Sequence, residues 1–256
     1  MRSRPRGRIL AGMNNYTPEV MLAEAAVPLD DHRKLPTFKN AVRVQESFLA
    51  HAEKSALLWL AARMPQWVNS DHLTVLGLIS LVGAGATYAL ARWSSWWLLG
   101  GIVFLALNWF GDSLDGTLAR FRDRQRPRYG FYVDHAVDAV GTSFLLGGMA
   151  MSGIMSAPVA IGLLIAYLLL MIEVCLATYT IGVFQISFFK ISPTELRIAL
   201  SIGNLIALAN PVGHLFGRTF LLFDAGGGIG IAGMALILVL SIVRNTRKLY
   251  VQERLD

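Results

Sequence analysis

Apolar residues run along this chain in six long blocks, each near the roughly 20 residues a helix needs to cross a bilayer. They cover residues 72–92, 95–119, 130–152, 157–184, 194–213 and 226–244. Ahead of the first block, Val44, Phe48, Leu49, Ala52 and Leu60 fall roughly on one helical face, with Lys54 and Arg63 elsewhere. That pattern predicts an amphipathic helix within residues 36–66, lying in the membrane interface. A soluble helix packed on the rest of the chain is the other reading. Residues 1–35 read as a polar, basic tail. The predicted fold is all-α: an integral membrane bundle of six transmembrane helices within residues 67–250, with an N-terminal interfacial amphipathic helix.

Composition points the same way. Only 16% of residues are charged, against about a quarter in soluble domains, and the mean hydropathy is +0.50. A net charge of +6 would suit nucleic acid, but its placement argues against that partner. Of the 23 Lys and Arg residues, only Arg92 and Arg218 fall on the far side of the six-block layout. Basic residues stay in the cytoplasm. Both termini and the connection between blocks two and three are therefore predicted cytoplasmic, in a cell inner membrane or its equivalent. The single cysteine, Cys175, excludes a disulfide within the chain. The opening "MRSRPRGRILAGMNN" is basic, but its apolar part is too short for a signal peptide. The glycines of "GGGIGIAG" at 226–233 predict close helix packing.

One stretch breaks the apolar pattern. "GDSLDGTLARFRDRQRPRYGFYVDHAVDAVG", residues 111–141, carries Asp112, Asp115, Asp134 and Asp138 where its neighbours read as buried helix. A buried carboxylate is costly unless paired, protonated or metal-bound. Asp112 and Asp115 are three residues apart, and Asp134 and Asp138 are four apart, so each pair shares a helix face. Both pairs lie at the cytoplasmic ends of adjacent helices, where four carboxylates can converge. Hard oxygen ligands at that density suit Mg²⁺, Mn²⁺ or Ca²⁺, and two such ions would suit phosphoryl chemistry. Gly116 and Ala119 leave room for a flat group, Arg120 is one turn beyond Gly116 in reach of a phosphate, and Gly130 opens the next helix beside the acids. Asp123, between Arg122 and Arg124, reads as a solvated loop residue.

Written out, the pattern is Asp112-x₂-Asp115-Gly116-x₂-Ala119-Arg120-x₉-Gly130-x₃-Asp134-x₃-Asp138, eight fixed residues over 27 positions. It resembles the signature of the CDP-alcohol phosphotransferase family, as does the six-span layout. The resemblance implies an enzyme that moves a phosphoalcohol group from a CDP-linked donor to an acceptor hydroxyl and releases CMP. It implies metal ligation by Asp112, Asp115, Asp134 and Asp138, by Mg²⁺ or Mn²⁺, two ions in all, with Asp138 also the general base. It implies a CDP site lined by Gly116, Ala119, Arg120 and Gly130, and a homodimer. The first donor reading is CDP-diacylglycerol with a small polar alcohol as acceptor. The alternative is a CDP-choline or CDP-ethanolamine type enzyme acting on diacylglycerol, which "YGFYVDHAVDAVG" also resembles. A reading from another class, a transporter lined by intramembrane acids, leaves Gly116, Ala119 and Arg120 unexplained.

Further candidates lie outside that pattern. Glu173, in the fourth block, either faces the acceptor site or bonds another helix. Arg197 lies on the cytoplasmic side, where a phosphate-bearing acceptor would sit; the other reading pairs it with Glu195 at the interface. In "VNSDHLT", Asn69 and Thr74 resemble a family segment without keeping its spacing, and Ser70 or Asp71 reads as a helix cap. Ser192 or Thr194 reads as the cap of the fifth block. His135 points off the acid face and is not assigned as a ligand.

Overall fold

The computed structural model of the chain describes residues 50–181, 193–215 and 218–254. Among them are seven helices: α1 Ala50–Arg63, α2 Ser70–Ala91, α3 Trp97–Phe121, α4 Pro127–Met151, α5 Ala157–Ile181, α6 Pro193–Ala209 and α7 Leu222–Gln252. The expected tail at 1–35, residues 36–49 of the expected amphipathic helix and 182–184 of the fourth block lie outside the described residues.

Local chemistry sets the boundaries. Asn69 caps α2: its side chain accepts from the His72 N–H at 3.2 Å, and the His72 ring accepts from the Asn69 N–H at 3.3 Å. The cap expected of Ser70 or Asp71 therefore falls one residue earlier, on an extended Asn that reaches the third helical N–H. α4 opens three residues before its expected start because Pro127 fills the first turn, where its missing N–H costs nothing. α6 stops at Ala209 because Pro211 disfavours a helical Asn210. The Asn210 side chain instead accepts from the Val212 N–H at 3.1 Å. Two strands follow, β1 Val212–Leu215 and β2 Arg218–Leu221, paired antiparallel with Val212 opposite Leu221. Apart from this short hairpin the described elements are helical, as the all-α expectation has it: once the helix is broken, the backbone meets its hydrogen-bonding needs by pairing with itself.

α2, α3, α5 and α7 are each long and apolar enough to cross a membrane. α6 has only 17 residues, and α4 is made less apolar by Asp134, His135 and Asp138. Four such helices mark a multi-pass integral membrane protein. α5 displays the corresponding surface: Ile161, Ile165, Leu169 and Ile172 are exposed at helical spacing. α7 has 31 residues. At 1.5 Å per residue it is about 47 Å long and outreaches a hydrocarbon core of about 30 Å.

α2 packs on both α3 and α4, α5 on α4 and α7, α6 on α3, and α1 on α3. Glycine permits the closest approaches. A Cβ at Gly148 of α4 would lie 1.9 Å from the Gly85 carbonyl oxygen of α2. A Cβ at Gly111 would lie 2.6 Å from the Leu73 carbonyl, so α3 touches α2 directly before Asp112. The main core gathers Leu81, Tyr88, Leu98, Leu145 and Met149. Within it the Tyr88 hydroxyl donates to Asn204 at 2.9 Å, and Asn204 donates to the Leu98 carbonyl at 3.3 Å, joining α2, α6 and α3. Leu57 and Ala61 of α1 pack with Leu114 and Leu118 of α3, while Leu58 and Trp59 stay exposed. At the other end of the bundle, Asp224 of α7 accepts from the Ser156 N–H, just ahead of α5, at 2.7 Å.

The α2–α4 contact yields a direct test. Gly148→Ala must push the helices apart and is expected to cost about 1–3 kcal/mol, as overpacking does. It should lower the thermal unfolding midpoint in detergent. Gly147→Ala, next door with nothing within 4 Å of the added carbon, should not; equal midpoints for the two variants would refute the backbone contact.

Candidate active site

The last turns of α3 and the first turns of α4 bring acids together. Asp112, Asp134 and Asp138 each offer a carboxylate oxygen, and these lie within 4.8 Å of one another. Asp134 is exposed and the other two are half-buried. Like charges so close repel strongly wherever water is scarce. Arg197 of α6 supplies an opposing charge. Its Nη2 lies 2.6 Å from Asp112 Oδ2, and its Nε donates to Asn108 Oδ1 at 2.7 Å. Asn108 itself donates to the Gly77 carbonyl of α2 at 3.0 Å. The remaining nitrogen, Arg197 Nη1, is buried without a hydrogen-bond partner among the described residues.

Asp115 stands apart from the trio. Its Oδ2 accepts from the Thr74 hydroxyl of α2 at 2.7 Å, and its Oδ1 accepts from the Gly116 N–H. The Ser70 hydroxyl donates to the Asp115 carbonyl at 3.0 Å. The first turn of α2 is thus stitched to the acid-bearing turn of α3. Of the four acids expected to converge, three do so and the fourth is held beside them.

The accompanying residues frame an open end. A Cβ on Gly116 would lie 3.4 Å from Arg120 Nη1, so Arg120 folds back over Gly116, with Nη2 donating to Thr117 at 3.2 Å. Ala119 lines a cavity of about 370 Å³ with Asn69, Ser70, Arg122, Arg124 and Arg126. Gly130 is exposed, and nothing lies within 4 Å of a Cβ built there. Arg126 pairs with Asp71 and stacks on Tyr129 at 4.0 Å. Arg122 donates to the Met64 and Pro65 carbonyls at 2.9 Å and also to the Val68 carbonyl, tying the α3–α4 connection to the end of α1. Asp123 takes a left-handed backbone, φ 57°, in that connection, a conformation Asp tolerates.

The other candidates are distributed more widely. Glu173 is buried and accepts from Asn245 of α7 at 2.7 Å, the helix-bonding alternative. His135 Nδ1 lies 2.8 Å from the Phe131 carbonyl, away from the acid trio. The Thr194 hydroxyl, expected as a cap, donates to Glu53 of α1 at 2.6 Å; Ser192 lies outside the described residues. Two neighbours of the site escaped the sequence reading. Asn108 had a signal, since a polar residue four before Asp112 shares its helix face. Tyr167 of α5, half-buried near Asp138 and Thr142 of α4, sits in an apolar run and had none.

The donor set fits a hard divalent cation, since carboxylate oxygens from two helices meet in one small volume. Comparison with known proteins agrees with this chemistry. The family model for CDP-alcohol phosphatidyltransferase matches residues 67–243, which include every residue of the acid cluster. That family is generally dependent on divalent metal ions. No curated protein matches the chain.

A cation held by the trio should stabilise the fold. At about 100 times its Kd, Mn²⁺ is expected to add about 2.7 kcal/mol to the unfolding free energy, read as a raised thermal midpoint in detergent. Asp134→Asn, which alters an exposed acid without opening the core, should abolish most of that rise. A rise of equal size in the variant would exclude the trio as the cation site.

Proposed function

Because the chain belongs to the CDP-alcohol phosphatidyltransferase family, we propose that it transfers a phosphatidyl group from CDP-diacylglycerol to a small polar alcohol bearing an anionic group, releasing CMP. Members of the family are phosphotransferases that use CDP-alcohols in lipid synthesis. The observation that carries the finer reading is the pairing of the Asp112, Asp134 and Asp138 trio with a half-buried guanidinium whose buried Nη1 lacks a partner among the described residues. An unmade hydrogen bond on a buried charged group is costly, and an anionic acceptor oxygen would satisfy it.

In this reading Asp112, Asp115, Asp134 and Asp138 hold two Mg²⁺ or Mn²⁺ ions. Bound there, the ions would neutralise the donor diphosphate and the leaving CMP. The chain's own groups do the rest. Gly116 and Ala119 leave the backbone open to the nucleotide, Arg120 holds a phosphate, and Gly130 keeps the entrance to α4 clear. Arg197 Nη1 holds the acceptor's anionic group. Asp138 takes the proton from the acceptor hydroxyl. The new oxygen–phosphorus bond forms as the bond to CMP breaks, with the reactants held in line. α4 and α6 complete six crossings, α1 lies in the interface on its exposed Leu58 and Trp59, and the enzyme works as a homodimer with its active site cytoplasmic.

The direct test is CMP release from CDP-diacylglycerol by purified protein with Mn²⁺, over a panel of acceptors. Release is expected only with a matching acceptor and should vanish in EDTA; full release in chelator would exclude a metal-dependent reaction. Asp138→Asn should still bind the CDP donor while turnover falls about 10²- to 10⁴-fold, the usual cost of losing a general base. Asp112→Asn should lose both. Near-normal turnover of Asp138→Asn would sink the base assignment. For sidedness, Gln125→Cys in a Cys175→Ser background should be labelled from the cytoplasm alone; labelling of intact cells from outside would reverse the orientation.

A further inference from the structure

α1 carries one carboxylate toward the bundle. Glu53, in its first turn, is half-buried. Its Oε1 accepts from the Thr194 hydroxyl at 2.6 Å and the Trp109 indole N–H at 2.9 Å, with the Ser113 hydroxyl farther out at 3.4 Å. These donors belong to two different helices. Thr194 is in the first turn of α6, three residues before Arg197. Trp109 and Ser113 flank Asp112 on α3. α6 is therefore tied to the acid-bearing helix at two successive turns: through Glu53 at Thr194, and through Asp112 and Asn108 at Arg197.

Apolar packing contributes little there. The buried residues of α6 are Asn204 and Ala207, both in its second half. Its first turns are held by polar contacts, and hydrogen bonds to a carboxylate are about twice as strong as neutral ones. Thr194 and Arg197 are three residues apart and share a helix face, so the tether at Thr194 acts on the turn that carries Arg197.

We propose that Glu53 is a positioning residue for the reaction: it fixes the start of α6 against α3, so that Arg197 presents Nη1 to the anionic group of the acceptor. This rests on the acceptor reading given above. It assigns a catalytic consequence to the helix that precedes the first span, through a contact that includes none of the three acids.

Three variants test it. Glu53→Leu removes the acceptor, Thr194→Val removes the donor at nearly constant shape, and Glu53→Gln keeps an oxygen to receive both donors. The first two are expected to raise the acceptor KM about tenfold, a loss on the scale of one buried hydrogen bond to a charged group. The donor KM should stay unchanged, and Glu53→Gln should recover most of the loss. The Glu53→Leu, Thr194→Val double variant should be no worse than Glu53→Leu alone, because the two act on one contact. A readout free of activity accompanies these. Spin labels at exposed Leu58 and Ile202, with Cys175 replaced, should give a narrow distance distribution that broadens in Glu53→Leu and Thr194→Val but not in Glu53→Gln. An unchanged distribution overturns the tether. A broadened distribution with unchanged acceptor KM overturns its link to the reaction. Should the wild-type protein release no CMP with any acceptor, the transferase reading fails and with it the catalytic role, while the distances still report whether Glu53 holds α6.

Discussion

Three carboxylates whose oxygens lie within 4.8 Å of one another cannot stand uncompensated at the end of a membrane bundle. The cost of gathering them grows as water is excluded, and the surrounding architecture answers that cost. Arg197 arrives from α6 to oppose Asp112. Asn108 fixes the guanidinium by accepting from its Nε and is itself fixed by the Gly77 carbonyl. Thr74 and the Gly116 N–H hold Asp115 at the margin. Four helices thus contribute to one electrostatic arrangement, and its geometry leaves one guanidinium nitrogen unpartnered. That nitrogen is the observation on which the proposed acceptor site rests.

Helix contact decides whether such an arrangement can exist. At Gly111 and Gly148 the neighbouring backbone comes closer than any side chain would allow. The first contact lies next to Asp112 and the second anchors α4 farther along α2. Helices crossing this tightly leave little room between their backbones, which suits a site needing fixed charges. α1 and α6 are attached differently, α1 by a small apolar cluster and polar ties and the start of α6 mainly by polar ties. The molecule thus pairs a backbone-packed frame, α2 to α4, with elements set by hydrogen bonds.

Much of this was legible in the sequence. The apolar blocks predicted the helices, because lipid leaves the backbone few alternatives. The three- and four-residue spacings predicted which acids share a face. Long-range pairing was not legible. Asp115 leaves the trio because Thr74 claims it from another helix, and Arg197 finds Asp112 across 85 positions. Neither partner is marked by local spacing. The hairpin after α6 was missed because an apolar run looks alike in helix and strand, although Pro211 was a signal against continuing the helix. Glu53 was missed for the opposite reason: an acid near the start of a helix is ordinary, and its half-buried donors come from α3 and α6.

The contact between Asp224 and Ser156 bears on how the molecule is assembled. Ser156 leads into α5, and its backbone N–H finds its acceptor on α7, 68 positions later in the chain. During synthesis α5 therefore emerges well before the residue that completes its start. Until the last helix is made, that N–H must stay with water or with another transient acceptor. A chain interrupted before α7 would therefore leave the start of α5 without the acceptor that completes it.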